Sequence, residues 1–560
     1  MSIRSAIQRI PVWLRITIGF VLLLLLGGAI GINIYLNNLV NKRLREMVYE
    51  SSDGLYRLEY RDIDMNAFSG NITIYNAELI PDTAVYVRLQ QAHRAPRFLV
   101  GGKTDKLSLK NVRWFAFMNN KKLKIGRLLI ERPEFNLVQY RPLRRDTVNK
   151  SPGVSEFISK NVRDLSLNVF SIHDAVIHYQ VADTVAKERT FNTIEHLDIG
   201  FTKVHFAGDD TATRHLVADD YFIDLKEYKH RTADSLYWVT ITGFRYNSNQ
   251  RKATLDSFIA DPRYSEANFS KKLGYQETRY EAALKNISVE GFDIAALIEE
   301  NELRMKNMNI ESGSAYFYMN RAYPPPREDI KNVVISQRIL NLDIPLLIDS
   351  FSIANLGLTY KEYNPLSGRA GVLKFENVSG KAVNVTNLPA VIAKQPHMKV
   401  NINARLLGSG VRASLRFDLD KPDGRFNATL EADQIAAEQL NGILAPMALI
   451  EARQGIMQKL ECNISGTANR AAANVKLLYE DLKIDILKKE GKTLEKKGLK
   501  SVFANILVFD DNPKDGTLRT ARQVQKSRRY AKSFFNLAWS TVAAGIMEII
   551  FKEKGINLQS

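Results

Sequence analysis

The segment MKVNINARLLGSGVRASLRFDLDKPDGRFNATLEA, residues 398–432, decides how the rest of the chain is read. Apolar side chains occupy every second position in three runs: Met398, Val400, Ile402, Ala404, Leu406; then Val411, Ala413, Leu415, Phe417, Leu419; then Phe426, Ala428, Leu430, Ala432. Gly408-Ser409-Gly410 and Lys421-Pro422-Asp423-Gly424 stand between the runs and supply turn chemistry. A period of two broken by turns predicts an antiparallel meander with one apolar face.

Outward from this segment the period stays near two. Ile72 and Ile74, then Ala77 and Leu79 beyond a break at Tyr75-Asn76, predict two strands ending at Pro81. Further strands are predicted around Leu460, Cys462 and Ile464, around Val475, Leu477 and Tyr479, and around Leu482, Ile484 and Ile486. Helix is predicted only briefly, at 155–161, at 294–300 behind Asp293 as N-cap, and at 434–444, stopped by Pro446.

The chain also repeats itself. Shifted by 180 positions, Ala116, Leu123, Ile130, Glu131 and Arg141 fall on Ala296, Leu303, Ile310, Glu311 and Arg321. Leu109-Lys110-Asn111-Val112 recurs as Leu284-Lys285-Asn286-Ile287, and Phe170-Ser171-Ile172 recurs as Phe351-Ser352-Ile353 in the same order. Two copies of a β-rich unit follow, placed at 49–280 and 281–432, with a further β region at 433–510.

Residues 16–41 carry no charge, and 18–32 are almost unbroken apolar sequence. At about 1.5 Å per residue this is long enough to cross a hydrocarbon core of roughly 30 Å, so 16–37 is predicted to be a transmembrane helix behind a cytoplasmic segment, 1–15. The run exceeds the apolar part of a signal peptide, and Ile34-Tyr35-Leu36 stands where a cleavage site needs small residues. Arg4, Arg9 and Arg15 before the run nearly balance Lys42, Arg43 and Arg45 after it, so orientation rests on the β character of the remainder.

A net charge of +17 points to anionic partners, and 45% hydrophobic with 25% charged residues describes a folded chain. Beside an anchor, a lipid surface is the simpler partner; nucleic acid lacks any reader motif. Cys462 is the single cysteine, which excludes an intramolecular disulfide. The eight histidines show no zinc spacing, Gly408-Ser409-Gly410 lacks the context of a dinucleotide fingerprint, and neither a P-loop nor a Gly-x-Ser-x-Gly elbow occurs. The expectation is a non-enzymatic protein with no cofactor and no metal.

Residues 519–553 are predicted to be a basic, amphipathic C-terminal helix. Arg519, Arg522, Lys526, Arg528, Arg529 and Lys532 precede Phe535, Ala538, Trp539, Val542, Ile546 and Ile549 at helical spacing. Two placements fit: a membrane interface using Arg522, Arg528, Arg529, Phe535 and Trp539, or a helix docked on the end of the sheet.

The apolar N-terminal run, the strand-kink-strand units such as Leu167 to Tyr179, Leu478-Tyr479-Glu480-Asp481-Leu482-Lys483-Ile484, and Ser533-Phe534-Phe535-Asn536-Leu537-Ala538-Trp539 together resemble the AsmA-like family of bacterial envelope proteins, of the AsmA, TamB and YhdP type. The resemblance implies a mainly β fold, a long curved antiparallel β-groove of repeated units held in the inner membrane of a Gram-negative bacterium. It implies a periplasmic role in phospholipid transport and outer-membrane lipid homeostasis, with an envelope protein or the outer membrane met through the C-terminal helix. Ile125, Ile130, Leu137, Ile177, Leu303, Ile310, Phe317 and Leu358 are the candidate groove residues. The alternation equally fits a filled sandwich, and with it a structural scaffold for envelope assembly.

Overall fold

The computed structural model describes residues 44–46, 48–50, 52–66, 68–92, 95–96, 98–113, 122–140, 164–182, 190–207, 215–294, 296–297, 302–329, 331, 333–490, 493–496 and 508–551. The anchor predicted at 16–37 and the helix predicted at 155–161 lie outside them. Among the described residues no helix is long and apolar enough to cross a membrane. The chain is mainly β, its sheet mostly antiparallel. It divides into two compact units, residues 1–228 with 245–249, and residues 229–244 with 250–560.

The first unit holds β1 (Tyr56–Glu59), β2 (Asp62–Asn66), β3 (Asn71–Pro81), helix α1 (Thr83–Gln91), β4 (Phe98–Lys110), β5 (Lys122–Glu131), β6 (Glu134–Tyr140), β7 (Asp164–Ala182), β8 (Thr190–Ala207), β9 (His215–Val217) and most of β10 (Asp220–Arg231). The Asp82 carboxylate accepts from the Ala84 and Val85 amides and starts α1. The strands pair antiparallel except that β7 lies parallel to both β5 and β6.

The second unit holds most of β11 (Tyr237–Asn247), then β12 (Lys252–Pro262), α2 (Glu266–Leu273), β13 (Arg279–Glu290), β14 (Leu303–Asn320), α3 (Ile335–Leu340), β15 (Leu346–Asn364), β16 (Arg369–Thr386), α4 (Pro389–Ile392), β17 (His397–Leu406), β18 (Ser409–Asp418), β19 (Phe426–Ala432), β20 (Ile435–Ala436), α5 (Asn441–Ala448), β21 (Ile450–Gly466), β22 (Arg470–Glu490), β23 (Thr493–Lys496), β24 (Thr520–Ser527) and α6 (Phe534–Ile550). The meander read from 398–432 is β17, β18 and β19, with Met398 opposite Phe417 and Phe417 opposite Phe426. Its first turn centres on Leu407 and Gly408, both at positive φ (54° and 83°), one residue earlier than the Gly-Ser-Gly spacing predicts.

A parallel strand pair in corresponding register occurs in each unit. Leu128 faces Phe170 and Ile130 faces Ile172 across β5 and β7. Met308 faces Phe351 and Ile310 faces Ile353 across β14 and β15. β7 and β15 both have 19 residues, and the antiparallel partners that follow, β8 and β16, both have 18. A parallel pair needs a crossover connection, and in the second unit residues 321–345 supply it. Val333 and Val334 on that crossover are buried with Met398, Phe417 and Phe426.

Three expectations about element boundaries are corrected. β3 runs unbroken through the predicted break at Tyr75-Asn76, because Asn76 takes a left-handed φ of 52° and the strand bends there instead of ending. Asp481 at 53° does the same inside β22, which joins two predicted strands into one. The helix predicted at 434–444 is instead two residues of strand, a 3-10 turn Ala437–Leu440, and α5, which carries Pro446 inside it. Of the helix predicted at 294–300 only residues 294, 296 and 297 are described; the Asp293 carboxylate accepts from the Ala296 amide at 3.0 Å, as an N-cap does.

Candidate functional site

Strand register sorts side chains by face, since residues directly opposite one another point to the same side. In the first unit Ile63, Ile74, Leu107, Ile130, Ile172, Ile199 and Ile223 stand opposite one another from β2 to β10. Two residues along lies a second apolar row: Met65, Ile72, Leu109, Leu128, Phe170, Phe201 and Tyr221. Its aromatic members meet in series: Phe170 stacks on Phe201 at 5.6 Å, and Phe201 lies tilted against Tyr221 at 5.9 Å between ring centroids.

The second unit extends the pattern over eleven strands. Leu255, Ile287, Ile310, Ile353, Gly380, Ile402, Ala413, Leu430, Cys462, Val475 and Ala521 form one row, from β12 to β24. Ala253, Val289, Met308, Phe351, Ala382, Val400, Leu415, Ala428, Ile464, Ala473 and Val524 form another. Between them, on the opposite face, every position is polar: Thr254, Ser288, Asn309, Ser352, Lys381, Asn401, Ser414, Thr429, Asn463 and Asn474. One face is thus oily throughout and the other is wetted.

Burial along the apolar rows is graded. Cys462, Val475 and Ala521 are 3%, 1% and 1% exposed, whereas Ile353, Ile402, Ala413 and Leu430 are only half-buried. Ile287 and Ile310 are also buried, at 4% and 3%; over β21, β22 and β24 the cover is the helix α6. Its stripe Phe534, Leu537, Thr541, Val542, Gly545 and Ile549 is buried against β21, β22 and β24. Gly545 permits the approach, since a Cβ there would stand 2.4 Å from Val475 Cγ2. Burial pushes the Cys462 thiol up to about 12. At one end of β16, Ile443 and Met447 of α5 close over Gly371.

The sequence-predicted groove residues all fall between apolar neighbours. Ile130 and Ile310 belong to the rows above; Ile125 faces Leu167 and is buried with Val112 and Val204. Leu137 faces Val100 and Tyr179, and Ile177 faces Phe135 and Ile194. Leu303 faces Leu346, Leu358 faces Ala315 and Phe375, and Phe317 faces Tyr280 and Tyr360. The first four lie in the first unit and the last four in the second. The half-buried positions of β17 to β19, Ile402, Ala413 and Leu430, are missing from the predicted set, although the alternation of 398–432 was itself their signal.

The C-terminal expectation needs correction. Thr520–Ser527 is β24, paired with β22, so the basic run is not helical, and the helix begins only after the Ser533 cap. The edge of β22 supplies the hydrogen-bond partners of the β24 backbone. Arg528 is no interface residue: its guanidinium is paired with Asp329 and its side chain is 10% exposed. Arg522 and Arg529 are exposed, as are Phe535 and Trp539 on the face of α6 turned away from the sheet, at 67% and 58%.

Among the described residues no three His, Cys, Asp or Glu side chains are grouped to hold a metal ion. His196 Nδ1 meets Asp174 Oδ1 at 2.6 Å and holds that carboxyl below its usual range, a pair bridging two left-handed residues of β7 and β8. Asp220 accepts from the Asn249 amide and ties β10 to a turn. No family model matches the chain, and no curated protein matches it.

Proposed function

We propose that the chain is an AsmA-like envelope protein, held in the inner membrane by residues 16–37 with its β units in the periplasm. The apolar face of each unit serves as a groove surface for phospholipid acyl chains carried between inner and outer membranes. The observation that carries this reading is the pair of apolar rows, half-buried at β15 to β19 except for the buried Ala382 and backed on the opposite face by the polar row Ser352, Lys381, Asn401, Ser414 and Thr429. Each methylene moved from water onto such a face gains about 0.8 kcal/mol, so an acyl chain is held without metal, nucleotide or catalysis. The exposed Phe535 and Trp539, with Arg522 and Arg529, suit contact with an anionic lipid surface.

A second reading, a scaffold with a filled β core, is favoured by one place. Met398, Phe417, Phe426 and Phe534 are 1%, 0%, 0% and 3% exposed around the crossover residue Val334, a dense core with no room for a guest.

The two readings separate by photo-crosslinking in cells. A diazirine side chain at Ile402 captures phospholipid if the groove is occupied, while the same probe at Asn401 on the polar face captures none. Equal or no capture at both positions sinks the transport reading and leaves the scaffold.

A further inference from the structure

The polar face of the second unit holds a depression of about 390 Å³. Asn401, Ser414, Thr429, Asn463 and Asn474 cross it in one row from β17 to β22, with strands about 4.8 Å apart. Lys399, Arg416, Asn427 and Ser465 form the next row, two residues along, and line the same depression.

Asparagine is disfavoured in strands, yet four stand here, Asn401, Asn427, Asn463 and Asn474. Strand stability therefore does not account for them. The side chains of Asn401, Ser414, Asn427, Thr429, Asn463 and Ser465 have no hydrogen-bond partner among the described residues, whereas the Asn474 carboxamide accepts from the Gln523 amide at 2.9 Å. The row beyond is charged and already paired, Arg412 with Glu431 and Asp433, and Lys476 with Glu461. Uncharged donors and acceptors thus fill the depression, and ion pairs fence one side of it.

The other side is basic. Lys399 forms no ion pair with any described residue, and Arg416 Nε lies 3.5 Å from Asp418 Oδ1, an oxygen that His397 also approaches at 3.1 Å. In volume the depression falls within the roughly 300 to 1,000 Å³ of small-molecule sites, but its side chains are polar where those sites are mostly apolar. Its ligand must be rich in hydroxyls. No aromatic ring lines it, which removes the platform on which nucleic-acid bases stack.

We propose that this depression binds a short stretch of acidic polysaccharide, the sugar hydroxyls held by the amide and hydroxyl side chains and the acid group by Lys399. The site faces away from the apolar rows, so it stands or falls apart from the acyl-binding reading.

The test is calorimetric titration of the full chain, in a detergent without a sugar headgroup, with trigalacturonate, its methyl ester, and tricarballylate, which has carboxylates and no sugar. Trigalacturonate is expected to bind, the methyl ester to bind severalfold more weakly, and tricarballylate not to bind. Lys399→Gln is expected to weaken trigalacturonate to the level of the ester and leave the ester unchanged. Asn463→Val, which suits a strand better than asparagine, is expected to weaken both sugars about tenfold with the urea midpoint preserved. Tricarballylate bound as tightly as trigalacturonate, binding of neither sugar, or unchanged binding in Asn463→Val overturns the polysaccharide site.

Discussion

Asn377 sits inside β16 at φ 50°, a conformation that costs most side chains about 1 to 2 kcal/mol and costs Asn and Gly least. Asn384 occupies the same region farther along β16, and Asn76, Asp174, Asn286 and Asp481 do so inside other strands. A left-handed residue bends the strand and shifts the alternation, so that Ile74 and Ala77, three positions apart, share one buried cluster although the register is unbroken, Tyr75 facing Lys106 and Ala77 facing Thr104. Asn377→Gly should therefore be nearly neutral, whereas Asn377→Val should lose about 1 to 2 kcal/mol in urea unfolding. Strand position and apolar face were legible in the alternation; the kinks were legible only as breaks, because a polar residue out of phase looks the same whether a strand ends or bulges. The motif Leu-Lys-Asn-Val/Ile, at Asn111 and Asn286, held the missing clue, since both asparagines are left-handed, at 57° and 52°. Deep in the core the expectation is simpler: Phe417→Ala, at a side chain with 0% exposure, should cost about 3 to 5 kcal/mol by the same measurement.

At the scale of elements, α6 seals the row that ends in Val475 and Ala521. Gly545→Val would drive Cβ into Val475 and lift the helix. Cys462 lies opposite Val475 and reports the event. In the native chain its thiol, raised from an ordinary 9.0 to about 12, should be inert to a disulfide reagent at pH 8, and in Gly545→Val it should react. The linkage has a definite sign: the thiol's contribution to stability is complete below pH 9.0 and is lost as pH climbs toward about 12. That α6 would dock, and not lie free, was undecided in the sequence because its 3.6-residue stripe is apolar on one face and aromatic on the other. The basic run before it was misread as helix since charge carries no period, while Ala521 and Val524, the only apolar markers of β24, stand three apart around the left-handed Gln523.

At the scale of each whole unit, the repeat visible in sequence reappears as a shared parallel pair, whereas the path of the crossover was not visible. In the second unit that path is clasped by the C-terminal segment. Arg528 pairs with Asp329, the Ala531 amide donates to Asp329 Oδ1 at 2.8 Å, and the Tyr530 hydroxyl donates to Pro326 O at 3.1 Å. Arg528→Gln should release the clasp at a cost of about 1 to 3 kcal/mol and speed hydrogen exchange in 323–334, with exchange in β17 and β18 unchanged. Strands stand about 4.8 Å apart, so a row of eleven runs for roughly 50 Å, more than three times the roughly 15 Å depth of one leaflet's hydrocarbon. On the proposed acyl-binding reading, tails queued one behind another along the half-buried stretch from β15 to β19, short of the part that α6 seals, would advance by neighbour pushing neighbour, with each arrival at one end displacing a departure at the other.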